Sequence, residues 1–210
     1  MTMYSPLHEE RLDTVMALLV AEGVRSVADL GCGSGNLLAR LLATPGIARI
    51  IGMDASALAL QVVRGEVLNG RLDARCQLIH GSYTDHDDRV AGIEAVTLIE
   101  TIEHLDPQRL GCVERTLFAG YAPRLVVLST PNADYNPLYG LPPGRWRDAD
   151  HKFEWSRAKF RGWARGIAAR NGYGLRFLAV GEDHPECGAA PRLRASRSAH
   201  AAVWPQAHSP

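Results

Sequence analysis

Apolar residues recur at helical spacing over residues 7–22, at Leu12, Val15, Met16 and Leu19, and Gly23 supplies a stop. The short apolar run 26–31 reads as a buried strand that enters a glycine cluster, Gly31-Cys32-Gly33-Ser34-Gly35. Helical spacing resumes at 36–43 and ends near Pro45-Gly46. A second strand, 48–54, ends at Asp54, and a helix over 56–69 ends at Asn69-Gly70. Strands over 75–82 and 94–100 follow, then a helix opened by Asp106-Pro107 and running to about 119, then a fifth strand over 124–130. The rhythm breaks at 131–155, which is rich in Pro, Gly, Asn and aromatics and has no period. A helix over 156–174, with Gly172 near its end, and a sixth strand over 176–180 close the regular part. A last strand is expected around 199–204, in a tail from 181 to 210 that is otherwise poorly defined. Strands alternating with helices predict an α/β fold, a Rossmann-like, doubly wound and mostly parallel sheet, in a single domain over 1–210. Ligands in such sheets bind beyond the carboxyl ends of the strands, and every motif below falls there.

Composition narrows this only a little. The chain has 210 residues, 46% hydrophobic and 22% charged, with 23 Lys+Arg against 23 Asp+Glu. Zero net charge argues against a binder that holds nucleic acid by bulk positive charge. The charge is unevenly placed, however. Residues 85–106 carry seven acids and one base, whereas residues 145–176 carry nine bases and three acids. No apolar run reaches the roughly 18 residues of a membrane helix. The first thirteen residues lack the basic-then-apolar pattern of a signal peptide, so a cytoplasmic protein is expected. Cys32, Cys76, Cys112 and Cys187 are widely spaced and read as free thiols.

The glycine cluster has the form Asp29-x-Gly31-x-Gly33-x-Gly35, and a second acid, Asp54, ends the next strand. Glycines let backbone approach a ligand closely, and a carboxylate at the end of the second strand can accept both hydroxyls of a ribose. The dinucleotide pattern wants glycine at 36, which is Asn36. It also places a pyrophosphate at the helix N-terminus. An acid before the first glycine suits a cationic ligand, and S-adenosylmethionine is the expected cofactor, ahead of NAD or a purely structural turn.

Glu100, Glu103 and His104 follow the fourth strand. On a helical turn, positions i, i+3 and i+4 would share one face. Two carboxylates and an imidazole placed together repel unless a cation joins them. A divalent metal fits that role. The mixed oxygen and nitrogen set suits Mn, Fe, Co or Zn better than Ca, and Mg is compatible. His151, in the irregular insert, is the candidate for a further ligand. Each residue also has a plainer reading. Glu100 can cap a helix or touch the donor's amino group, His104 can be a half-buried histidine, and His151 a loop residue.

Together the segments DLGCGSGNLL, GMDAS, GSYTDHDDR, IETIEHLDP, STPNADYN and DHKFEWSRAKFRGWA resemble the small-RNA 3′-terminal ribose 2′-O-methyltransferases, the Hua-enhancer family, over about residues 5–180. The resemblance implies metal ligands, and with them the catalytic set, at Glu100, Glu103, His104 and His151. It implies a donor site at Asp29, Gly31, Gly33, Gly35, Asp54, Ser56, Ser82 and Tyr83. The expected reaction is metal-dependent (Mn or Mg, with Co a further option) methyl transfer to the 2′-hydroxyl at an RNA 3′ end. The expected partners are that RNA end and, as in bacterial members, an RNA end-healing and ligating enzyme, with no DNA and no membrane. Asn132, Asn136, Arg145, Arg147 and Lys152 are candidate RNA contacts, and Trp146, Phe153 and Trp155 candidate base-stacking groups. Phe160 and Trp163 read as core. Residues 131–155 are the family's insert. Asp148 stands where the family often has a second histidine, and the tail after Gly181 departs from the family's closing segment. The competing readings are a small-molecule O/N-methyltransferase and a non-catalytic RNA-binding domain.

Overall fold

The fold is taken from a computed structural model, which describes residues 6–70, 73–142 and 144–180 and the backbone of 190–196. In chain order the strands are β1 (Ser26–Leu30), β2 (Arg49–Asp54), β3 (Cys76–His80), β4 (Ala95–Ile99), β5 (Leu125–Ser129), β6 (Gly174–Val180) and β7 (Ala190–Ser196). The helices are α1 (Pro6–Ala21), α2 (Asn36–Leu42), α3 (Ala57–Val62), α4 (Leu110–Val113) and α5 (Arg157–Asn171). The strand order is β3-β2-β1-β4-β5-β7-β6, and β1 to β5 are all parallel. β7 runs antiparallel between β5 and β6. The doubly wound, mostly parallel sheet expected from the alternation is therefore present.

Every residue of β1 and β5 is buried, which is why these strands read as unbroken apolar runs rather than alternating ones. One face packs Val27, Ile50 and Val127 against Leu12, Val15 and Leu19 of α1 and Leu38 and Leu41 of α2. The other packs Leu30, Met53 and Leu98 against Leu117, Phe118 and Phe160. Strand order reverses between β1 and β4, and a crevice opens at such a switch point.

Several elements differ in detail from the periodicity. The helix expected over 56–69 is α3 followed by a wider π turn over Val63–Val67, capped by Ser56, whose Oγ accepts from Ala59 N at 3.2 Å. The helix expected from 106 is a 3₁₀ turn, Pro107–Arg109, then α4, then a π-helical stretch, Glu114–Tyr121. The strand expected around 199–204 lies outside the described residues, as does Cys187, while β7 forms earlier in the tail. Its register sets Leu193 opposite Leu128 and Phe177. Arginines and a proline within β7 hid it from an alternation argument. Cys32, Cys76 and Cys112 are free thiols, as expected.

The insert is tied down at both ends. Asn132 and Trp155 form an isolated parallel bridge, and a 3₁₀ turn, Ala133–Tyr139, leads away from β5. Phe153 and Trp155, expected to stack on bases, are instead core residues. Their rings stack at 4.4 Å, and Trp155 meets the edges of Phe160 and Trp163. Hydrophobic burial wins because this cluster seats α5 on the sheet. Of the three candidate stacking aromatics, Trp146 alone is exposed, at 38%.

The two tryptophans should therefore separate cleanly in equilibrium urea unfolding. Trp155→Ala is expected to cost about 3–5 kcal/mol. Trp146→Ala should cost less than about 0.5 kcal/mol. Equal losses would show that Trp146 is packed as well.

Candidate functional site

The glycine loop begins where β1 ends. Gly31 N and Cys32 N both donate to Met53 O, at 2.7 and 3.0 Å, which bends the loop over the end of β2. Gly31 has φ +81°, and a Cβ there would run into the Thr101 side chain. Gly35, at φ +85°, starts α2, and a Cβ would press on Val63 at 2.9 Å. These two glycines are required by shape and backbone sign together. Asp54 reads the loop from the neighbouring strand, accepting from Gly33 N at 2.8 Å and from Ser56 N at 2.7 Å.

Beyond these strand ends lies an open cleft of about 610 Å³. Gly31, Gly33, Asp54, Ser56, Ser82 and Tyr83 line one part, and Glu100, His104, Arg109 and Asp150 the other. Tyr83 is fixed by its hydroxyl donating to Thr101 O at 3.2 Å, and burial pushes that hydroxyl up to about 12. A second hollow of about 190 Å³ holds Asp29, Gly33, Asn36 and Glu100. Asp29 is 3% exposed, and its Oδ1 accepts from Thr97 Oγ1 at 2.7 Å. Burial raises its carboxyl to about 7, against the lowering effect of that hydrogen bond. The candidate donor residues therefore line two hollows that share Gly31, Gly33 and Glu100, with Gly35 acting on the turn.

Glu103, His104 and His151 converge. Each offers a ligand atom, and these lie within 4.8 Å of one another. Glu103 is fully buried. Its Oε2 accepts from Thr130 Oγ1 at 2.9 Å, while Oε1 has no hydrogen-bond partner among the described residues. Burial, then the neighbouring Glu100, holds its carboxyl well above the usual carboxylate range. The His104 and His151 rings meet edge to face at 4.9 Å. Lys152 N donates to Glu103 O at 2.7 Å and so pins the insert to the turn that carries Glu103. His104 Nδ1 lies 3.2 Å from Asp150, and His151 Nδ1 lies 2.6 Å from Glu154 Oε1.

Glu100 corrects one expectation. It does not share a helical face with Glu103 and His104, because it sits at φ +52° before a 3₁₀ turn, Ile102–His104. Its carboxylate accepts from Ser129 Oγ at 2.8 Å and pairs with Arg11 Nε at 3.4 Å, outside the three-residue group.

The expected RNA contacts divide. Asn132, Asn136 and Arg147 are committed to the protein. Asn132 Oδ1 caps the insert's first turn through Asp134 N. Asn136 Nδ2 donates to Glu154 Oε2 at 2.7 Å, and its Oδ1 accepts from Arg147 Nε at 2.9 Å. Arg147 also donates to Asn132 O. A buried amide is expected to be satisfied internally; that of Asn136 is, whereas Asn132 Nδ2 has no hydrogen-bond partner among the described residues. Arg145 and Lys152 are exposed, although Lys152 Nζ pairs with Asp150 at 3.0 Å. Sequence reasoning missed Arg11, Arg109, Ser129, Thr130 and Glu154. Glu154 alone had a signal, a carboxylate three residues after His151 in the same short segment.

Comparison with known proteins agrees with this geometry. The family model "Methyltransferase domain" matches residues 27–119. With the parallel sheet and the glycine loop it defines the class, an S-adenosylmethionine-dependent methyltransferase fold. A small RNA 2′-O-methyltransferase of Rattus norvegicus is 40% identical over 184 residues, 84% of this chain and 46% of that protein. The crystal structure of the methyltransferase domain of bacterial CtHen1-CN is 37% identical with a TM-score of 0.81, covering 90% of this chain and 99% of that one. The crystal structure of the small RNA methyltransferase HEN1 has 29% identity and a TM-score of 0.84, covering 93% of this chain and 26% of that one. The chain belongs to the Hen1 small RNA 2′-O-methyltransferase family, and it spans about half the length of the curated relatives it matches.

Asp29 generates a pH prediction. Its folded value of about 7 exceeds the ordinary 3.8, so between these values the folded state holds a proton that the unfolded chain releases. Stability from this site is present at low pH and is lost as pH rises through that window. Asp29→Asn keeps an acceptor for Thr97 and removes the slope. Its advantage in unfolding free energy over the parent should grow from pH 4 to 7.5, by on the order of 2–4 kcal/mol. A flat difference would show that the Asp29 carboxyl is not raised.

Proposed function

We propose that this chain transfers a methyl group from S-adenosylmethionine to the 2′-hydroxyl of the 3′-terminal ribose of small or cleaved RNA, with a divalent metal. The observation that carries this reading is the grouping of Glu103, His104 and His151, of which His104 lines the cleft that the glycine loop and Asp54 also form. The donor set fits a metal. A buried carboxylate with an unpartnered oxygen beside two imidazoles is a costly arrangement until a cation joins it. Its mixed oxygen and nitrogen character suits Mn or Mg, with Co as a further option. Glu100, beside Glu103, is the proposed fourth ligand. A bound metal lowers the pKa of a coordinated hydroxyl.

The chain's own residues supply the rest. Asp54 offers its carboxylate to the donor's ribose hydroxyls, and Asp29, which lines the adjoining hollow, is the acidic partner proposed for the donor's cationic end. Ser82 and Tyr83 line the cleft beside Asp54. Exposed Arg145, Trp146 and Lys152 lie within the insert and are proposed to hold the RNA strand. The 2′-oxygen bonds to the methyl carbon as the carbon–sulfur bond breaks. S-adenosylhomocysteine and the hydroxyl proton leave. Holding both reactants in one cleft supplies proximity. A ligand set that engages neighbouring 2′- and 3′-hydroxyls would select an RNA end over DNA and over internal nucleotides. An RNA end-healing and ligating enzyme is the proposed partner, and the cytoplasm the proposed site of action. No helix among the described residues is long and apolar enough to cross a membrane.

The test is methyl transfer to short RNAs ending in 3′-OH, 2′-O-methyl, 2′-deoxy or 3′-phosphate, with Mn²⁺ or with EDTA. Activity is expected only on the free diol and only with metal. Transfer in EDTA, or to a 2′-deoxy end, overturns the reading. In the same assay Glu103→Ala should abolish transfer while donor affinity, by calorimetry, stays within about threefold of the parent, since uniform donor binding does not pass through that carboxylate. Joint loss of both would make Glu103 structural.

A further inference from the structure

We propose that Glu154 is the positioning residue of the metal site, holding His151 in the one tautomer that leaves its Nε2 free as a ligand. The inference rests on the metal reading above and assigns a role to a residue outside the ligand set.

The hydrogen-bond network fixes the protons step by step. Arg147 Nε can only donate, so the Asn136 atom it meets at 2.9 Å is the amide oxygen. The amide nitrogen of Asn136 therefore faces Glu154 and donates to Oε2 at 2.7 Å. Arg147 N donates to Oε1 at 2.8 Å. Both oxygens of Glu154 are already acceptors, and the side chain is fully buried. A carboxyl group that accepts N–H donors at both oxygens meets the imidazole nitrogen 2.6 Å from Oε1 as an acceptor too, so that nitrogen is the donor. His151 thus carries its proton on Nδ1. The bare nitrogen is Nε2.

The contrast with its neighbours makes this specific. Glu103 is equally buried, yet one of its oxygens is unpartnered. Asp150 touches His104 in the same way, at 3.2 Å, but is 73% exposed and shared with Lys152. Of the carboxylates beside these histidines among the described residues, Glu154 combines full burial, donors at both oxygens and a short contact to a candidate ligand. A carboxylate on the second nitrogen of a ligating histidine fixes ring orientation and strengthens the ligand. Asn136 and Arg147, on this view, serve the site through Glu154 rather than through RNA.

Two readouts separate this role from a merely structural one. Two-bond ¹H–¹⁵N spectra of the ¹⁵N-labelled chain without metal should show His151 protonated on Nδ1. Titration calorimetry with Mn²⁺ alone should show affinity falling about 10–100-fold in Glu154→Leu. Glu154→Gln keeps an acceptor for Nδ1 and should lose less, with its Nδ1 resonance shifted and still protonated. Donor affinity should be unchanged in both. Parental Mn²⁺ affinity in either folded variant, or an Nε2–H tautomer in the parent, overturns the proposal. If Glu154→Leu does not fold, the Gln variant and the parent spectrum decide. A parent that binds no Mn²⁺ at all, with His151 still protonated on Nδ1, would instead sink the metal reading and this role with it.

Discussion

Buried negative charge is the constraint on which the functional end of this molecule depends. Asp29, Glu103 and Glu154 are 3%, 0% and 5% exposed. They meet the desolvation problem to different degrees. Asp29 takes one hydroxyl hydrogen bond and a raised pKa. Glu154 is surrounded by N–H donors from Asn136, Arg147 and His151. Glu103 is only half satisfied, by Thr130. A folded protein tolerates few such groups, because an ion left in low dielectric costs several kcal/mol unless it neutralises or finds a partner. The unsolved carboxylate is the one flanked by two imidazoles, and the site's chemistry follows from that incompleteness.

The sheet supplies the places where these charges converge. β1, β4 and β5 are parallel neighbours, so their carboxyl ends bring Gly31, Glu100, Ser129 and Thr130 to one edge. The insert crosses that edge and is held there by the Asn132–Trp155 bridge and by Lys152 N on Glu103 O. His151 is therefore placed by backbone hydrogen bonds on one side and by the aromatic cluster of Phe153, Trp155 and Trp163 on the other. Loops carry the chemistry here, but a packed layer beneath them sets the geometry.

The sheet, its parallel strands and the donor loop were legible in the sequence because apolar runs, glycines and strand-end acids each have a local signature. Glu103 and His104 were legible from residue type and spacing, and His151 from the place of its insert after the neighbouring strand. What was not legible depended on long-range packing. Phe153 and Trp155 carry no local mark that separates a core aromatic from a stacking one. Asn136 and Arg147 look like surface contacts in a polar loop until the fold closes them over Glu154. Glu100 lies at helical spacing from Glu103 and His104, yet the chain turns left-handed there, which three consecutive apolar and acidic residues do not announce. β7 was hidden by its own arginines. The net charge of zero was likewise a sum over separate regions, and part of the basic stretch is spent internally, Arg147 beside Glu154 and Arg170 on Glu114.

Glu100 shows how strain and electrostatics are balanced at the edge of the sheet. A non-glycine residue at φ +52° costs roughly 1–2 kcal/mol. Ser129 offsets this from β5, because its carbonyl and its hydroxyl both accept from Glu100 N and the same hydroxyl donates to Glu100 Oε1. The left-handed turn places a second carboxylate near Glu103, where like charges raise the cost further. Arg11, 11% exposed in the side chain, brings α1 into this arrangement by pairing with Glu100. The first helix is therefore more than a hydrophobic cover on the sheet. It supplies the positive charge that Glu100 pairs with beside Glu103, and so helps to hold an acidic edge of the sheet together.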